Sequence, residues 1–335
     1  MQTKARAIIA LALLVSLISF IKFSHCESSG WATPDQYIHA CYSDIPALYG
    51  ERGLSKGDWA YSNGEDSVEY PVVTGAVMWT LAKITPGGES ATKNYYYINV
   101  FFLALLFIFI AFIVFKIRPE FAYLTPLAPA AIASLYINWD LWAIISMLAA
   151  IYWFDRKKLD VSAIALGLSI STKFMPVFLL IPIALIFLRR NQISGAIRYL
   201  IIAAATFTII NLPVYLTTPE GWLRFYQLNI DRGSDWGSLW YAMSSLGINM
   251  PNTNYLSVLI LLAGLAAIAI YALELRNIPS LAAMSFIVLA TVMCASKVYS
   301  PQYVLWLTPL AVIALIDKRD LHAFWIWQGA ELIYH

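Results

Sequence analysis

Apolar residues in this chain come in long unbroken runs, not at the spacing of a half-buried surface helix or strand. Runs at about 7–24, 95–115, 121–137, 139–154, 195–216, 255–273, 280–296, 301–316 and 321–335 stand out, several of them short. Roughly twenty apolar residues cross a hydrocarbon core of about 30 Å, so each is expected to be a membrane span. One further segment, Val161 to Leu188, is apolar over 28 residues apart from Ser, Thr and Lys173. As one helix it would be about 42 Å long at 1.5 Å per residue. It would also place Arg156, Lys157 and Lys158 on one side of the bilayer and Arg189 and Arg190 on the other. A reversal near Lys173 returns both clusters to one side, and Pro176 helps because the residue before a proline disfavours helical geometry. The pattern therefore predicts two short helices meeting near the outer surface.

With that reversal the chain makes eleven crossings and its N-terminus lies inside. Thirteen Lys and Arg then fall on the inner side (4, 6, 116, 118, 156, 157, 158, 189, 190, 198, 276, 318 and 319) against six acids (120, 155, 160, 274, 317 and 320). The outer side holds the other nine basic residues and thirteen acids, which leaves Glu331 in the last run. This asymmetry agrees with the positive-inside rule, in which acids themselves count for little. The expected fold class is an all-α polytopic membrane protein forming a single domain over 1–335, with outer loops at 25–94 and 217–254. The chain stops inside an apolar segment at His335, and the sequence is expected to be a truncated or partial one.

Composition agrees. The 335 residues are 60% hydrophobic and 13% charged, with a mean hydropathy of +0.67, which excludes a soluble enzyme. A net charge of +2 with scattered basic residues excludes a nucleic-acid partner. The first run follows Lys4 and Arg6 like a secretory signal, but no A-x-A pattern or lipobox follows it, so it reads as a retained span. Cys26 and Cys41 fall on the outer side and can pair there; Cys294, inside an apolar run, reads as inert packing.

The chemistry-bearing residues gather in the outer segments. The first outer loop holds nine acids together with Trp31, Trp59, Trp79 and many tyrosines, which suit a bilayer interface or stacking on sugar rings. In CYSDIPALYGERGL, Asp44 sits among apolar and aromatic residues. It reads either as a general base tuned by low polarity or as a helix-capping aspartate. EYPVVTGAVMW, which begins at Glu69, reads as a proline-initiated amphipathic or re-entrant segment. YINWDLW places Asn138 and Asp140 in a tight outer turn, as helix caps or as functional groups. In STKFMP, Lys173 faces a protein or water cavity below the outer surface and meets an anion there, a lipid phosphate being the obvious one, or else snorkels to the headgroups. IDRGSDWGSLWY supplies Arg232, and KVYSPQYVLWLTP supplies Lys297, Tyr299 and Gln302. No H-E-x-x-H, C-x-x-C, P-loop, G-x-S-x-G or G-x-G-x-x-G occurs, so zinc-hydrolase, nucleotide-driven and serine-hydrolase readings lose their usual support.

Together CYSDIPALY, EYPVVTG, NWDLW, STKFMP and KVYSPQYVLWLTP resemble the GT-C glycosyltransferases, and most closely the family 87 group of polyprenol-phosphate-mannose-dependent mannosyltransferases of actinobacteria. The resemblance implies a plasma-membrane enzyme of the cell envelope, a hexosyltransferase of class EC 2.4. It would move a sugar, mannose foremost, from a polyprenyl-phosphate donor to a lipid or glycan hydroxyl on the outer face, with inversion. Asp44 matches the family's general base, with Asp35 and Asp58 as alternatives. Lys173 matches the donor-phosphate ligand, helped by Lys297 and Arg232, while Asn138, Asp140, Glu69, Tyr299 and Gln302 fall among the expected substrate-binding positions. No cofactor is indicated, and the lack of an acid adjacent to Asp44 argues against a divalent metal. The alternative reading is a transporter or flippase of lipid-linked sugars, which would use the same intramembrane charges as a substrate pathway. A non-catalytic sugar-binding membrane subunit is a third.

Overall fold

A computed structural model of the protein describes residues 2–248, 250–315 and 317–334, so His335 lies outside the described residues. The regular structure of these residues is helical, with no strand among them. They include thirteen helices of eight residues or more: α1 (Gln2–Ser28), α2 (Asp44–Glu51), α3 (Val72–Lys83), α4 (Ala91–Ile117), α5 (Asp140–Asp155), α6 (Leu159–Thr172), α7 (Leu180–Arg189), α8 (Ile193–Thr217), α9 (Pro219–Asp231), α10 (Thr253–Glu274), α11 (Leu281–Ala295), α12 (Val304–Ala314) and α13 (Asp320–Tyr334). By length and composition α1, α4, α8 and α10 can each cross a membrane, which makes this an α-helical membrane protein. They differ in placement. Half of the most apolar window of α4 is buried inside the protein, against 17% for α8 and 11% for α10. α4 is therefore a central helix, while α8 and α10 turn apolar side chains outward, as lipid-facing helices do.

Where water is scarce, a serine or threonine hydroxyl stabilises helix contacts by binding a neighbour's carbonyl. Ser169 on α6 donates to the Ala143 carbonyl on α5 at 2.7 Å, and Ser162 donates to Ala150 at 2.7 Å while meeting the Tyr199 hydroxyl of α8 at 2.8 Å. α6 approaches α8 closely at Gly167, where a Cβ would stand 2.6 Å from the Ala203 carbonyl oxygen. Only glycine fits that crossing.

The break in the 161–188 run falls at the residue the sequence indicated. α6 ends at Thr172, Lys173 is extended (φ −146°, ψ 137°), and a 3-10 turn at Met175–Leu179 leads into α7. Two other expectations change. The 121–137 run is not one helix but two short pieces, Leu124–Leu127 and Pro129–Ser134, separated at Ala128 because Pro129 pushes the preceding residue out of helical geometry. Cys294 is exposed rather than packed inside, while Cys26 and Cys41 are disulfide-bonded.

Candidate functional site

Two helix starts are pinned together to build the site. Ser43 caps α2, its hydroxyl accepting the Ile45 N–H at 3.2 Å, and the same hydroxyl donates to the Tyr136 carbonyl at 2.8 Å. The Asp44 N–H then donates to the Ile137 carbonyl at 2.8 Å. One residue further on, Asn138 Oδ1 accepts the Asp140 N–H at 3.0 Å at the start of α5. Asp44 and Asp140 thus each occupy the first position of a helix, where the exposed N–H groups favour a negative charge. Capping of α2 belongs to Ser43, so Asp44 is free for another role.

A second set of contacts brings Lys173 to the same place. Pro71 starts α3, and Thr74 on its first turn donates to the Thr172 carbonyl at 2.6 Å, fixing the turn that carries Lys173 beside Tyr70. Lys173 Nζ lies 2.8 Å from Asp140 Oδ1 and 4.7 Å from the centroid of the Tyr70 ring. Asp140 Oδ2 in turn accepts the Trp306 indole N–H of α12 at 2.9 Å. The anion that the Lys173 reading required is supplied within the protein, by an aspartate side chain only 2% exposed.

Asp44 is held by two phenols. The Tyr42 hydroxyl donates to Oδ1 at 2.8 Å and the Tyr70 hydroxyl to Oδ2 at 2.9 Å. Burial pushes the Asp44 carboxyl above the ordinary carboxylate range, while both hydroxyls and the Lys173 ammonium pull against that rise. Burial and the Asp44 charge raise both phenols, so each remains a proton donor to the carboxylate. Tyr70 touches both halves of the site, its hydroxyl on Asp44 and its ring against Lys173.

These groups line one cavity of about 1040 Å³, together with Glu69, Asn138, Arg232, Tyr299 and Gln302. Glu69 is clasped by Arg52 through two parallel bonds of 2.8 and 3.0 Å. Arg232 pairs with Asp235, whose N–H donates to the Lys297 carbonyl at 2.8 Å. Tyr299 donates to Glu331 of α13 and accepts at its carbonyl from the Tyr334 hydroxyl at 2.6 Å, so α13 closes one side of the cavity. The buried atoms Asn138 Nδ2 and Gln302 Oε1 have no partner among the described residues.

Of the nine positions singled out from sequence, seven line this cavity and Asp140 stands behind it, bound to Lys173. Lys297 is placed differently. Its ammonium donates to the carbonyls of Ile230 (3.3 Å) and Arg232, so it fastens the Arg232 loop and is not part of the lining. Asp35 pairs with His25 and His39, Asp58 accepts from Asn63 at 3.2 Å, and neither lines the cavity. Sequence reasoning missed Tyr42 and Tyr70, although each stands within two residues of a named acid, and it missed Trp306. Comparison with known proteins finds no matching family model and no matching curated protein.

Proposed function

We propose that this chain is a multi-pass plasma-membrane glycosyltransferase of GT-C type, moving a sugar from a polyprenyl-phosphate donor to a lipid or glycan hydroxyl on the extracytoplasmic face. The observation that carries the reading is the presence, in one cavity, of a half-buried carboxylate of raised proton affinity and a half-buried ammonium, bridged by a single tyrosine. Sugar transfer from a lipid phosphate needs both. Ionised Asp44 takes the acceptor proton as the acceptor oxygen attacks the anomeric carbon, and the bond from that carbon to the phosphate oxygen breaks. Lys173 and Arg232 meet the charge growing on the departing phosphate. A single displacement of this kind inverts the anomeric centre.

Lys173 is engaged with Asp140 until donor arrives, so phosphate binding requires the ammonium to reorient or to serve both anions. Lys297 acts indirectly in this scheme, holding the loop that presents Arg232.

The test is Asp44→Asn in purified protein, assayed with polyprenyl-phosphate sugars. Loss of a positioned general base typically costs about 10²- to 10⁴-fold in rate, so transfer falls by that order while donor binding stays near its original strength. Unchanged turnover sinks the assignment. Transport of the lipid-linked sugar, unaltered by the same substitution, would favour a flippase.

A further inference from the structure

Outside the cavity, at the C-terminal end of α1, three side chains converge that the proposed chemistry does not use. His25 Nε2 lies 3.0 Å from Asp35 Oδ2, and His39 Nδ1 lies 3.0 Å from Asp35 Oδ1. The two imidazole centroids are 3.9 Å apart, and one ligand atom from each of the three residues falls within 4.8 Å of the others. In a tetrahedral zinc site with bonds near 2.0–2.1 Å the ligand atoms stand about 3.3–3.4 Å apart, so modest side-chain rotation closes this trio on one ion.

We propose that His25, Asp35 and His39 form a three-ligand site for a borderline divalent cation, with zinc as the ion of choice. Two imidazoles and one carboxylate match that class, whereas calcium and magnesium require oxygen ligands. The backbone is already gathered for it. Cys26 and Cys41 are joined, and each stands one or two residues from a histidine ligand, so the chain entropy of bringing the ligands together is largely spent before the ion binds. Asp35 is also oriented, its Oδ2 accepting from the Ser29 hydroxyl at 2.8 Å. Between the ligands, Gln36 and Tyr37 line the cavity, so the ion braces a cavity wall and takes no part in sugar transfer. The inference does not depend on the function proposed above.

Purified full-length protein with its disulfide intact, stripped by chelator, is titrated with zinc chloride against a chromophoric competitor. One ion per chain is expected. His39→Gln and Asp35→Asn each weaken binding at least ten-fold, whereas His322→Gln, at an exposed histidine elsewhere, leaves it unchanged. Mass mapping of the Cys26–Cys41 bond in each variant establishes that the loop has kept its closure. Non-saturating uptake, or equal affinity in all three variants, overturns the proposal and leaves imidazole–carboxylate hydrogen bonds alone.

Discussion

Replacing Asp140 by asparagine leaves Lys173 with its ammonium facing an amide in a place built for a carboxylate. The two side chains are 2% and 16% exposed and their charged atoms are 2.8 Å apart, so the pair is buried on one side and open to the cavity on the other. Removing one member of a buried pair typically costs about 3–5 kcal/mol, and access of Lys173 to cavity water puts this case near about 3. The amide oxygen of the substituted side chain can still accept the Trp306 indole N–H, which confines the loss to the cation. Near this chain length 1 kcal/mol corresponds to about 2 °C, so thermal unfolding in a single detergent should show Tm lower by about 6 °C. Lys173→Met removes the orphaned charge. In the double variant the two losses therefore do not add, and a coupling of about 2 kcal/mol or more is recovered. Strict additivity in the cycle would refute the reasoning, because it would mean that the 2.8 Å contact couples nothing.

Four further outcomes are expected. Transfer activity rises with pH through the Asp44 ionisation, and its midpoint lies above the ordinary value of about 3.9 because burial favours the protonated form. Since the folded state holds that proton more tightly than the unfolded chain does, the Asp44 contribution to stability falls as pH rises from about 3.9 through the folded value, and Asp44→Asn removes this part of the decline in pH-dependent melting curves. Gly167→Ala forces a methyl against the Ala203 carbonyl and destabilises the α6–α8 crossing by about 1–3 kcal/mol, read as a lower Tm with the spectroscopic helix content unchanged. Cys41→Ser opens a 15-residue loop and lowers stability by about 3 kcal/mol under non-reducing conditions, a difference that vanishes when both proteins are reduced.

Single residues decided what could be read from the sequence. Lys173 was legible because its basic flanks and Pro176 made one long helix implausible, and the chain does break there. The run at 121–137 was read by hydropathy alone, which does not register what Pro126 and Pro129 do to a helix. Asp140 and Lys173 were each marked for attention but not as partners, since nothing in a string of residues joins two positions so far apart across a helix turn. Tyr42 and Tyr70 escaped for a related reason. A tyrosine in an aromatic-rich loop reads as interface anchoring until a carboxylate is seen between its hydroxyl and another. Lys297 was read as a helper for phosphate from its place near the outer end of an apolar run; what the string does not show is that two carbonyls of the Arg232 loop accept from its ammonium. The His25, Asp35 and His39 grouping was invisible to motif search, because its ligands are drawn from a helix end and a bridged loop and not from a fixed zinc spacing.

Tyr70 makes the Asp44 end and the Lys173 end of the cavity one mechanical part. Its backbone leads through Pro71 into α3, whose Thr74 grips the Lys173 turn, so any rotation of that helix carries the phenol and the lysine together. The two halves therefore cannot be retuned separately. Under the proposed function, a substitution chosen to admit a different acceptor beside Asp44 also moves Lys173, and selection for a new acceptor should bring compensating changes at Thr74 or Thr172 rather than at the carboxylate.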